Sequence, residues 1–314
     1  EGEGYSHPVR EPEEADPGRR VCPFHRPGDP GVGGDITATE FVTVYWRDML
    51  RFFRFRALLF SSLVQPALWM AFFGVAMTSN FDRIAGMQTV PAGGIAVPYL
   101  TFMAAGIMAL TTLFTSLFGG ISLLFDKLWG LMREVLASPM PRSHVLIGVN
   151  LSGVTKSFIQ VIIIMAFGIL IGVRFFPGYS PLRVLISLLG ILLFVGVFSF
   201  GFLSMSSTIS MRMESPESLQ AVITLLSLPL FFVSNALYPA QAFPPFLQAA
   251  PAANPLTYVV TGIRYFAIGP DFYALGGHYV YTPMDVGFAL LALLVFVVVM
   301  FIVAWWTFEK AVVT

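Results

Sequence analysis

Six apolar stretches, five of them without one charged residue, restrict this chain to a single class of fold. They run from Ala57 to Met77, Tyr99 to Phe125, Val145 to Val173, Val184 to Met211, Leu219 to Tyr238 and Gly287 to Trp306. Each reaches the ~20 residues that cross ~30 Å of hydrocarbon at ~1.5 Å per residue. Lys156 is the only charge inside them. A central Arg, Lys or Asp costs roughly 2.5–3.5 kcal/mol on insertion, so charge-free runs of this length mark true spans. Composition agrees: 56% of the 314 residues are hydrophobic and 11% charged, against about 25% charged in soluble domains. The pattern predicts an all-α membrane protein with six transmembrane helices. Pro66 and Pro229 fall inside spans one and five and are predicted to kink them. Lys156, near the start of span three, is predicted to snorkel to the interface.

Residues 1–35 are rich in Pro, Gly, Glu and Arg and show no apolar periodicity. They are predicted to be a disordered cytoplasmic tail, with residues 36–314 forming the transmembrane domain. The tail holds no apolar core of the kind a secretory signal needs. Cys22, the sole cysteine, lies near His25, but no second ligand pair accompanies them and no metal site is predicted. A net charge of zero gives no field that would attract nucleic acid.

The pattern changes at Thr37-Ala38-Thr39-Glu40, which has the spacing of a helix capping box. On a helical wheel, Phe41, Tyr45, Trp46, Met49, Phe52 and Phe53 share one side, and Arg47, Arg51 and Arg54 the other. This predicts an N-terminal amphipathic interfacial helix with its arginines toward headgroups. Placing the N-terminus in the cytoplasm puts fourteen of the 18 lysines and arginines inside and leaves Arg83, Arg174, Arg183 and Arg264 outside. The positive-inside rule then predicts a multi-pass protein of the cytoplasmic (plasma) membrane with both termini cytoplasmic.

Catalytic chemistry is not visible. Gly148 to Ser157 resembles a phosphate-binding loop superficially, but only two residues separate Gly153 from Lys156 and no strand precedes it. His7, His25, His144 and His278 are scattered over tail and loops, and spans almost free of ionisable groups supply neither an intramembrane nucleophile nor an ion-coupling set. No catalytic residue is predicted, so work done by this chain draws energy from another subunit.

Two connections are unlike passive loops. Phe125 to Arg142, between spans two and three, reads as a short helix stopped by Pro139 and Pro141. Lys127, Leu131 and Glu134 share one face, with Leu128, Met132 and Val135 on the adjacent one. Such a mixed helix fits docking to a soluble partner, or lying solvated at the interface. The stretch after span five, from Asn235 through Pro239, Pro251 and Pro255 to Arg264, is too broken for one span. It reads as short helices re-entering from the outer face, or as an ordinary external loop.

These two connections carry a family resemblance. Phe125-Asp126-Lys127-Leu128-Trp129-Gly130, followed by Arg133-Glu134 and Pro139-Met140-Pro141-Arg142, resembles the membrane-spanning permease of ABC type-2 exporters, in the drug-resistance and nodulation-factor branch. Leu128 stands where that family usually has Glu. The stretch from Leu228-Pro229 through Asn235 to Asn254-Pro255-Leu256-Thr257-Tyr258 and Arg264 is similar to the family's end signature, with Asn235 where Gly is common. The likeness covers about Phe41 to Thr314.

The resemblance implies a half-transporter, two permeases joining two ATPase subunits that bind ATP and Mg, with no cofactor in this chain. It implies ATPase coupling through Asp126, Lys127, Gly130, Arg133, Glu134, Pro139 and Arg142, and an outer-helix motif of Asn254, Pro255, Tyr258 and Arg264. Spans one, two and five would line the path at the dimer interface, which designates Gln65, Trp69, Phe73, Thr112, Phe231 and Asn235. Walls rich in Phe and Met without fixed charge suit hydrophobic or amphipathic cargo, drug-like or lipid-like. Rival readings are export of lipid-linked glycans by the same machinery, an intramembrane enzyme, an ATPase-independent carrier, or a membrane anchor.

Overall fold

The computed structural model describes residues 36–86, 95–131, 142–237, 243–275 and 277–310, with residues 36–40, 56–59, 61, 81–86 and 142 described by their backbone alone. The predicted tail and the segment carrying Arg133, Glu134 and Pro139 lie outside them. Thr37–Thr314 forms one compact unit. It is an all-α membrane protein, with six helices long and apolar enough to cross a bilayer.

Helix α1 (Ile36–Arg54) ends at Phe55, a single residue with φ −89° and ψ 68°, and α2 (Arg56–Leu68) starts at once. The first span joins α2, a π-helical turn (Trp69–Gly74) and α3 (Val75–Gly86). Pro66 has no N–H for the carbonyl one turn back, and the widened turn follows three residues later. The remaining spans are α4 (Tyr99–Leu128), α5 (Arg142–Leu170), α6 (Pro181–Arg212) and α7 (Pro216–Val233), then α9 (Pro283–Lys310). Between α7 and α9 lie a 3₁₀ turn (Ala250–Ala253) and α8 (Pro255–Ala267). Three helices begin the same way: Ser180, Ser215 and Asn254 cap α6, α7 and α8 through their side chains, each followed by proline at the first helical position.

Helix α4 is central. Two-thirds of its apolar window (67%) is buried, against 17% for the first span, 22% for α7 and 11% for α9. Phe102, Met103, Ile107, Met108 and Leu113 of α4 meet Phe194, Phe198 and Phe202 of α6 and Ile263 of α8 in one core. A second cluster joins Val44 of α1 to Leu123, to Val145, Leu146 and Val149, and to Ala304 and Phe308. The end of α4, the start of α5 and the end of α9 therefore meet α1 at one end of the bundle, called here the α1 end.

Three details depart from the sequence pattern. A β-hairpin, β1 (Asp271–Ala274) with β2 (Gly277–Val280), fills part of the connection before α9, and Tyr273 also bridges to Ala96. Asp126 and Lys127 belong to the last turn of span two rather than to a separate loop helix; the break comes at Gly130, whose φ of +80° suits glycine. Helix α1 buries Val44, Asp48, Met49 and Phe52 and leaves Trp46 and Phe53 exposed, so its packed face includes a carboxylate and excludes two predicted apolar members.

Candidate functional site: an ionic clamp and a helix-end clasp

At the α1 end, Asp126 is buried and accepts from two arginines of α1: Arg47 Nη2 at 2.5 Å and Arg51 Nη2 at 2.7 Å. These arginines were predicted to face headgroups. They turn inward instead, because a carboxylate in the last turn of α4 would otherwise be buried without a counter-charge. Lys156 Nζ lies 2.5 Å from Asp48 Oδ2 and 5.6 Å from the centre of the Phe52 ring, both on α1. Ser152 also donates to Asp48, and Tyr45 Oη donates to Thr155 at 3.2 Å. Lys127 Nζ caps the end of α6, donating to the carbonyls of Met211 and Met213 at 2.9 and 3.0 Å. Helix α1 is thus fastened to spans two and three by opposite charges, while Leu128 and Trp129 stand exposed beside the clamp.

Asp126 and Lys127, two of the predicted coupling residues, hold their charges within the chain. Gly130 lies just past them. Arg142 opens α5, its side chain outside the described set.

The predicted path residues separate into groups. Trp69 and Phe231 meet edge to face with centroids 6.2 Å apart, and Phe73 packs on Trp69 at 5.7 Å, joining the first span to α7. Gln65 is exposed one turn away on α2. Thr112 is fully buried in α4, donating to the Met108 carbonyl at 3.0 Å. Asn235 lies beyond the end of α7.

At the opposite end the outer-helix motif comes together around that end. Asn254 caps α8 and donates Nδ2 to the Leu230 carbonyl at 2.6 Å. Arg264, fully buried, donates Nη2 to the carbonyls of Asn235 and Ala236 at 2.8 and 3.0 Å, and its guanidinium carbon lies 3.6 Å from the Phe102 ring centre. No described carboxylate pairs with it. Burial pulls its pKa below the ordinary arginine value, and neighbouring hydroxyls, Tyr281 foremost, oppose that pull. Pro255 opens α8, and Tyr258 Oη donates to Ala252 at 2.5 Å while its ring meets Phe288 of α9. Arg264, counted from sequence as an external loop charge, is an interior cation.

Residues that sequence reasoning missed are the partners inside the spans. Gln160 Nε2 donates to Ser62 Oγ at 2.9 Å and joins span three to span one. Ser199 of α6 sits 2.9 Å from both Ser116 of α4 and Ser157 of α5. Asn150 donates to Ser204 at 2.9 Å. Their signal was present: a hydroxyl or amide in hydrocarbon needs a partner helix. Among the described residues no three His, Cys, Asp or Glu side chains come together to hold a metal.

Comparison with known proteins matches residues 39–267 to the family described as ABC-2 type transporter. The ycf38 transport permease of Cyanophora paradoxa is 33% identical over 208 residues, 66% of this chain and 67% of that protein. DrrC of Mycobacterium tuberculosis, named as a doxorubicin resistance ABC transporter permease, is 23% identical over 208 residues, 66% of this chain and 69% of its own length. The inner membrane transport permease YadH of Escherichia coli is 23% identical over 253 residues, 80% of this chain and 89% of its own length.

Proposed function

The chain belongs to the ABC-2 type transporter family, and we propose that it is the permease subunit of an ATP-driven exporter for a hydrophobic or amphipathic compound. The observation that carries this reading is the clamp at the α1 end. An amphipathic helix fastened by Asp126, Arg47, Arg51, Asp48 and Lys156 to two spans moves only with them. A force applied beside it, where Leu128 and Trp129 are exposed, is transmitted into the bundle. A separate ATPase subunit, binding ATP and Mg, supplies that force. It docks on the segment from Gly130 through Arg133, Glu134 and Pro139 to Arg142, with Asp126 and Lys127 positioning the segment from within.

The walls support the cargo class. Span one exposes Phe60, Val64, Phe72 and Phe73, and α7 exposes Leu225, Leu228 and Phe232, with no fixed charge among them. Drug-resistance permeases among the relatives favour drug-like molecules over small ions. A second permease copy closes this face. The charge bias supports a plasma-membrane orientation with a cytoplasmic α1 end and cytoplasmic termini.

Inverted membrane vesicles carrying the permease and a partner ATPase of the same family test this reading. Accumulation of a fluorescent amphipathic drug should require ATP, and Arg133→Ala with Glu134→Ala should lower it while ATP hydrolysis continues. Undiminished accumulation without ATP or ATPase would show a carrier instead.

A further inference from the structure

The end of span five and the backbone just beyond it are tied to α8 by two side chains, its cap Asn254 and Arg264, alongside a local turn in which Ser234 donates to the Phe231 carbonyl and accepts from Ala236 N–H. Helix α7 ends at Val233, and the chain leaves it extended at Ser234, with ψ 161°. The last carbonyls of a helix have no partner within it. Here the Leu230 carbonyl accepts from Asn254, and those of Asn235 and Ala236 accept from Arg264. The same segment presses on span two: a Cβ at Gly106 would stand 2.1 Å from the Ala236 oxygen, so only glycine allows this approach. Because the acceptors are backbone atoms, the two side chains register where the end of span five is, not which residue stands there.

The cluster also keeps unused capacity. Arg264 Nε and Nη1, Asn235 Oδ1 and the Tyr279 hydroxyl are buried with no hydrogen bond. Buried donors and acceptors of one cluster that stay unpaired have a second arrangement open to them, in which Asn235 turns its amide oxygen to the guanidinium. A shift of the segment then exchanges hydrogen bonds rather than stranding the cation.

We propose that Asn254 and Arg264 are positioning residues of the transport cycle, a latch that holds the end of span five against α4 and α8 and changes partners when that span moves. The cyclic part rests on the exporter reading; the holding part does not.

The test places a reporter cysteine at Leu237, which is buried beside the latch, in a chain whose Cys22 is replaced by serine. Labelling by a hydrophilic maleimide is followed in open membrane fragments containing the assembled transporter, with and without ATP and vanadate. Arg264→Gln should raise the labelling rate about tenfold or more, as loss of a charged donor to two carbonyls predicts. It should also abolish the nucleotide response, with Arg264→Lys restoring part of both. Asn254→Ala, which leaves the cation in place, gives the same direction more weakly and decides the matter if Arg264→Gln does not reach the membrane. An unchanged rate in a well-expressed variant overturns the latch. A raised rate with the nucleotide response intact reduces Arg264 to a helix-end cap and overturns its part in the cycle. No nucleotide response in the parent chain refutes the exporter reading, and with it the cyclic part, while the ATP-free rates still judge the holding part.

Discussion

Asp126→Asn tests the clamp most directly, because it keeps the side-chain shape and removes the charge. Removing one partner of a fully buried ion pair costs about 3–5 kcal/mol. The Asp126 side chain is 6% exposed, but those of Arg47 and Arg51 are 36% and 27% exposed, so water compensates part of the loss. Asparagine keeps one acceptor oxygen for one arginine and turns an N–H toward the other. Losing one charge-assisted bond and weakening the second amounts to about 2–3 kcal/mol. At ~1.4 kcal/mol per tenfold, the population with α1 undocked rises roughly 30- to 150-fold. Val44, buried in the same face of α1, serves as reporter once changed to cysteine in the Cys22→Ser background. When docking is rapid, its labelling rate follows the undocked population. The expected rise is therefore of that same size, with the amount of protein in the membrane unchanged. Arg47→Ala with Arg51→Ala should give a similar rise, and adding Asp126→Asn to them should add little, since the three side chains form one unit. A rate within about twofold of the parent in Asp126→Asn would refute the claim that this carboxylate holds α1.

Three further outcomes follow from the same geometry. Lys156→Met leaves Asp48 buried without its ammonium partner and should lower the melting midpoint in detergent by several degrees, with Asp48→Asn in the same chain recovering part of the loss; an unshifted midpoint refutes the pairing. A hydrophilic maleimide applied to intact cells should label a cysteine at His278 and spare one at Glu217, both exposed positions, and the reverse pattern would overturn the orientation. Trp69→Leu or Phe73→Ala should change the transport ratio of two amphipathic dyes by about threefold or more, whereas Val298→Leu on the exposed face of α9 should not; equal effects at the two places would remove the aromatic group from the path.

The spans were legible because a bilayer imposes a rule that sequence alone must satisfy: about 20 apolar residues without charge. All six appear near their predicted bounds, although the first, from α2 through α3, continues past Met77 to Gly86, and α4 and α9 run on past the apolar core. The clamp was not legible. Arg47 and Asp126 stand 79 residues apart, and Lys156 and Asp48 stand 108 apart, so no local pattern links them. A helical wheel of α1 weighs residues by apolarity and gives no reason to bury Asp48; a partner charge makes its burial tolerable, while the exposed indole of Trp46 is at ease against lipid or headgroups. The hairpin before α9 was missed for a similar reason: its strands are fixed by each other and by the bridge from Tyr273 to Ala96.

What the spans do with their polar groups separates their faces. Ser116, Ser157, Ser199, Asn150, Ser204, Gln160 and Ser62 pair across helices inside the bundle, as hydrocarbon demands. From Gly287 to Trp306 α9 carries no polar side chain except the indoles of Trp305 and Trp306, and its exposed residues suit lipid directly. Gln65 breaks the pattern, exposed on α2 among Val64, Leu68 and Phe72. An amide left against acyl chains is costly, whereas in a two-fold dimer a residue near the axis meets its own copy and both amides are satisfied. In the proposed dimer a hydrogen bond of this kind contributes only about 0.6–2 kcal/mol, so it would set which faces meet more than how tightly they are held. Weak attachment at that face fits the proposed export cycle, in which the wall parts for cargo while the ion pairs at the α1 end carry the force.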